Sequence, residues 1–163
     1  MNWFIVFLFL HITAAVIAFG PIFVFPVIAV LAESRPEHLS FALELDHRIG
    51  SRIVVPVALT MPVSGVGLLI SAHVDLLRTT YLLVAITLYI LAMVLAIGFQ
   101  LPGGRRLVAL TAGGASTSPP VAEAQRLIVR ARNVGIVLTL LFLVIIFLMI
   151  VKPGGLVGGP ILG

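Results

Sequence analysis

Residues 134–151 read VGIVLTLLFLVIIFLMIV, eighteen positions with no charged side chain. As a helix rising 1.5 Å per residue this stretch is about 27 Å long, close to the ~30 Å of a bilayer's hydrocarbon core. Its distal part is bulky and apolar on every side, a pattern a water-soluble surface helix does not carry. Three further runs of the same character lie upstream, at residues 3–31, 53–71 and 81–101. The whole chain of 163 residues agrees, with 61% hydrophobic and 10% charged residues and a mean hydropathy of +1.26. Soluble domains carry roughly 25% charged residues. The sequence therefore predicts an all-α, polytopic membrane protein. Four transmembrane helices form one domain over residues 1–152, followed by a flexible glycine- and proline-rich tail at 153–163.

The first run is too long for a straight crossing. Gly20-Pro21 and Pro26 in its second half predict a kink and a tilted or broken inner end. Val30-Leu31-Ala32 resembles a signal-peptide cleavage site, but residues 1–4 carry no Lys or Arg. The apolar stretch also exceeds the 7–15 residues of a signal core, so the run reads as a retained span.

The basic residues set a direction. Arg35, Arg48 and Arg52 follow the first span, and Arg105, Arg106, Arg126, Arg130 and Arg132 follow the third; the other side has only Arg78 and Lys152. Positively charged loops stay cytoplasmic, which places both termini outside and both long loops inside a bacterial inner membrane. The net charge of +4 and pI near 10.7 belong to these flanks. They are a topology signal that also attracts anionic lipid, and nothing in them calls for nucleic acid. The absence of cysteine excludes disulfides, thiolate metal sites and a cysteine nucleophile.

Within the first long loop, Ser34-Arg35-Pro36-Glu37 has the form of a helix start. Leu39, Ala42, Leu43 and Ile49 recur at helical spacing, and Gly50 is placed to end the helix. A short amphipathic helix at the membrane surface is expected. Residues 113–120, GGASTSPP, read as a flexible linker. Helix should resume near Pro119 and run through Arg126, Arg130 and Arg132 into the fourth span.

Membrane helices associate through small residues and a few polar contacts, because lipid is as apolar as leucine. Span one presents His11, Ala14, Ala15 and Ala18 on one face. Span two presents Pro56, Thr60, Ser64, Gly67 and Ser71, and span three Ala85, Tyr89, Ala92 and Ala96. These stripes should meet in the interior. Span four has Gly135 and Thr139 only near its inner end, so it is expected to be the most lipid-exposed helix or the face that meets another membrane protein or a second copy.

His11 is the only clearly intramembrane side chain among His, Asp, Glu, Lys and Arg. It lies roughly 12 Å below the outer surface. An ionisable group at such depth is a functional candidate. It can hydrogen-bond across helices to Thr60, Ser64 or Tyr89, ligate a b-type haem or another metal, or relay protons. A relay lacks a carboxylate at depth to continue the path. For a haem, Met61 is the nearest candidate for a second ligand. A phosphate loop, a zinc-protease helix, paired carboxylates and a serine nucleophile elbow are all missing.

Leu10-His11 opening an alanine-rich helix, the charged amphipathic segment, the sequence PVSGVGLL at 62–69 and the arginine-flanked third span together resemble a known family. These are the predicted bacterial integral membrane proteins grouped as domain of unknown function 2269. The resemblance runs over residues 3–153 and implies a four-helix membrane fold with no established activity. A more distant likeness is to HemJ-type protoporphyrinogen oxidases and copper-resistance D membrane proteins, carried by His11 and Val151-Lys152-Pro153. The chain departs from that pattern in residues 80–101, which contain no lysine, histidine or tryptophan. The expected function is a non-enzymatic subunit or accessory factor of an inner-membrane assembly. The alternative is a haem-binding redox protein using His11.

Overall fold

The computed structural model describes residues 2–34, 38–112 and 121–152. All regular structure in them is helical: α1 (Trp3–Ser34), α2 (Leu39–Ile49), α3 (Val55–Ser71), α4 (Thr80–Leu95), α5 (Leu101–Ala112) and α6 (Val121–Val151). A π-helical turn, Gly50–Val54, joins α2 to α3, and a second, Ala96–Gln100, joins α4 to α5. The result is four long rods, each apolar enough over part of its length to cross a membrane.

The α2–α3 rod has 33 residues and α6 has 31. At 1.5 Å per residue these are about 50 and 46 Å long, so each exceeds the ~30 Å hydrocarbon core by about 15–20 Å. The excess lies at the arginine-rich end, where α2 packs on α5 and α5 on α6. The amphipathic helix is thus present, but it is the continuation of span two. Gly50 has ordinary helical angles, φ −57° and ψ −49°, and does not stop the chain. The residue before the first turn of α2 is His38, and of the expected start signal Arg35, Pro36 and Glu37 lie outside the described residues. The linker at 113–120 and the tail at 153–163 lie outside them as well.

Each π turn ends two residues before a proline, Pro56 and Pro102. A proline inside a helix has no N–H for the carbonyl four residues back, and its ring collides with that carbonyl. The residues concerned, Arg52 and Gly98, sit in the middle of the two π turns. Widening the helix there moves the carbonyl away from the ring. The α1 helix, by contrast, continues through Pro21 and Pro26 to Ser34, so of the kinked and tilted or broken inner end expected there, the break does not occur.

In the membrane part α1 lies along α3, and α4 along α6. Ala14, Ala18 and Phe19 of α1, Ala58 and Met61 of α3, Ala92 of α4, and Leu138, Phe142 and Ile145 of α6 form the core. The fourth span thus contributes to the core. Yet it and the third are the least buried of the four, each with 11% of its apolar stretch buried, in keeping with the lipid exposure expected of it. Leu138, Phe142 and Ile145 are 7%, 9% and 8% exposed, and the Phe142 ring lies 4.1 Å from that of Phe19, centre to centre. At the end opposite the arginine-rich one, α3 and α4 are joined by a short connection that carries Arg78. Asp75 accepts from the Leu77 amide at 3.1 Å there, and His73 takes a left-handed φ of 52°.

Candidate functional site

On α3 the buried positions are Ala58, Met61, Ser64 and Gly67, three residues apart. Of the expected stripe, Ser64 and Gly67 lie on this face and Ser71 is half-buried. Thr60 and Pro56 are exposed. The Thr60 hydroxyl donates to the carbonyl of Val57 at 2.7 Å, so its polarity is satisfied within its own helix. Ala14 and Ala18 are buried and Ala15 is half-buried on α1; Ala85 and Ala92 are buried on α4, with Tyr89 and Ala96 half-buried.

His11 meets this stripe directly. Its Nδ1 is 3.0 Å from Ser64 Oγ, and Ser64 Oγ is 3.0 Å from the Met61 carbonyl. A serine has one hydrogen. It is donated to Met61, so Ser64 accepts and the Nδ1–H of His11 donates. That assignment leaves Nε2 with the lone pair. The ring lies beside Gly65, where an added Cβ would stand 3.6 Å from His11 Cε1, an ordinary packing distance. Tyr89 and Thr60, the other expected partners, bond elsewhere, and Met61 is 7% exposed in the core.

Tyr89 has a separate task. Its hydroxyl donates to the carbonyl of Ala58 at 2.7 Å. Pro62 stands four residues after Ala58 and cannot supply the usual helical donor. In hydrocarbon an unsatisfied carbonyl costs several kcal/mol, by the usual estimate, so a side chain from a neighbouring helix fills the gap.

A second polar assembly lies at the arginine-rich end. Glu44, His47, Arg48, Ser51 and Arg52 from the α2 rod, with Arg105 and Val108 from α5, line a cavity of about 440 Å³. Glu44 pairs with Arg48. Arg52 and Arg105 have no ion pair among the described residues. Gly104 allows the close approach of α5, because a Cβ there would stand 3.0 Å from His47 Nδ1. Burial, and then the Arg105 charge, hold the His47 imidazole below its ordinary pKa. Nearby on the same helix, burial pushes the Asp46 carboxyl up to about 6.

The remaining basic residues are dispersed. Arg106, Arg126 and Arg132 are exposed, Arg130 lies 5.0 Å above the Phe99 ring, and Arg35 is outside the described residues. Among the described residues no group of three or more His, Cys, Asp or Glu side chains converges as for a metal. His47, Ser51 and Gly104 were not singled out by sequence reasoning. Gly104, next to the arginine pair at 105–106, is the one sequence feature compatible with a close approach here, and it does not say which helix approaches.

Four membrane-length helices, an apolar core and a histidine–serine bond between helices define a multi-pass integral membrane protein. The chain belongs to the family described as predicted integral membrane protein, DUF2269, whose model matches residues 5–153. No curated protein and no solved structure matches it.

Proposed function

We propose that the protein is a non-enzymatic subunit or accessory factor of an assembly in the bacterial inner membrane, with both termini outside. The observation that supports this reading is the commitment of His11. The one ionisable group expected at depth is bonded across helices to Ser64, and the surrounding interior is apolar, built of alanines and of the larger Phe19, Met61, Leu138, Phe142 and Ile145. Such a group serves helix association. The partner face is the outer side of α6, where Leu140, Phe147 and Ile150 are 57%, 59% and 71% exposed.

The test is the native mass of the tagged protein, extracted from its host membrane with its lipid annulus intact. A defined complex larger than the 17.4 kDa chain, lost on placing bulky polar residues at Leu140 and Phe147, is the expected result. A monomer alone sinks the proposal.

One observation favours the haem-binding alternative. A histidine that ligates metal through one nitrogen commonly donates its other N–H to an acceptor, as Nδ1–H does to Ser64. The visible spectrum of protein made with ample haem, oxidised and reduced, decides between the two. A Soret band lost in His11→Ala supports the alternative; no band removes it.

A further inference from the structure

We propose that the cavity between α2 and α5 binds a phosphate-bearing anion, held by Arg52 and Arg105. The geometry that points to this is threefold. First, the fold brings together arginines far apart in sequence, on two different rods, around one concavity of about 440 Å³. The sole carboxylate lining it, Glu44, is used by Arg48, which leaves Arg52 and Arg105 with no ion pair among the described residues. Arginine's planar fork suits phosphate oxygens.

Second, the backbone shapes the site. The π turn Gly50–Val54 that accommodates Pro56 also carries Ser51 and Arg52 into the lining. Gly104 keeps the α5 side open where any larger residue would press on His47.

Third, the depth is right for a lipid headgroup. Arg52 immediately precedes the apolar stretch at 53–71, and Arg105 follows the one at 81–101 by four residues. At 1.5 Å per residue both stand within about 2–6 Å of the hydrocarbon edge, inside the headgroup layer that adds about 5–8 Å per leaflet. The phosphate of an anionic phospholipid lies at this level, whereas a soluble phosphate would have to enter from the water side.

The experiment uses the full chain in nanodiscs of phosphatidylcholine, with or without a minority of phosphatidylglycerol. Native mass spectrometry reads the retained lipid and thermal melting reads its effect. Wild type is expected to retain phosphatidylglycerol over phosphatidylcholine. Each of Arg52→Gln and Arg105→Gln should weaken that preference about 5-fold, and the double variant by more than about 10-fold. Lysine at both positions should restore part of it, and Arg78→Gln at the opposite end should leave it unchanged. Both arginines are exposed, so the single variants keep the fold, which melting in phosphatidylcholine alone verifies. Stabilisation by inorganic phosphate in phosphatidylcholine nanodiscs identifies a soluble anion as the source; stabilisation by phosphatidylglycerol alone identifies the lipid. Absence of both responses overturns the proposal. So does a preference that survives the double variant, or one lost equally in Arg78→Gln.

Discussion

The hydroxyl of Tyr89 stands in for the amide hydrogen that Pro62 lacks. It reaches from α4 to the Ala58 carbonyl, 2.7 Å away, and closes the gap that the proline opens in α3. The two residues should therefore be coupled. Tyr89→Phe is expected to cost about 1 kcal/mol in a reversible detergent-unfolding assay. In a Pro62→Ala background the new N–H supplies the carbonyl, and the same Tyr89→Phe change should become nearly neutral. An equal cost in both backgrounds would show that Tyr89 acts by packing alone.

The ring of Phe7 lies against Gly67, where a methyl group would overlap it. Gly67→Ala should cost about 1–3 kcal/mol through overpacking. Gly135 in α6 has no atom within 4 Å of the corresponding position, so Gly135→Ala should be neutral or mildly stabilising. Melting temperatures of the two variants in one detergent make the comparison, and a milder effect at Gly67 than at Gly135 contradicts the packing described.

Asp46 and His47 give the arginine-rich end a pH response of predictable sign. Burial raises the Asp46 carboxyl from 3.8 to about 6 in the folded protein. The folded state then holds a proton that the unfolded chain has lost, so stability falls as pH rises from about 4 to about 6 and levels off above. Asp46→Asn should remove this cost, stabilising the protein at pH 7.5 by up to about 3 kcal/mol, less where water screens the carboxyl. Below pH 4 the variant and the wild type should converge. His47 acts in the opposite direction: the fold favours its neutral form, so its contribution is lost as pH falls below 6.5. Melting curves of both proteins from pH 4 to pH 8 separate the two effects.

The chain has no cysteine, so single reporters can be placed without background. Asn2 and Ser40 are both exposed, at the two ends of the bundle. With both termini outside, a membrane-impermeant maleimide on intact cells should label Asn2→Cys and spare Ser40→Cys until the cells are opened. The reverse pattern refutes the positive-inside assignment.

The four spans were legible because composition alone forces them; no other environment tolerates residues 134–151. Their inner faces were legible only in part. On α3 the hydroxyl of Thr60 was weighted as a partner-seeking group, yet a threonine in a helix can bond its own backbone, and Ala58 and Met61 took the buried places instead. The part played by Phe142 was hidden because a helix that is bulky all round has no distinguishable face. The His11–Ser64 bond was one of three alternatives the sequence allowed. The cavity was beyond reach, since nothing in the chain says that Arg105 will face Arg52 until α5 is laid against α2.

The two π turns have a consequence for how the rods are built. Each accommodates more residues per turn than the helix on either side, so the angular phase of side chains below it is offset from the phase above. The membrane storey and the polar storey of one rod can thus be oriented independently about a shared axis. Deleting one residue at 50–54 would swing every α2 side chain by about 100° relative to α3. Loops tolerate changes in length easily; these two turns are places where the count of residues itself carries alignment.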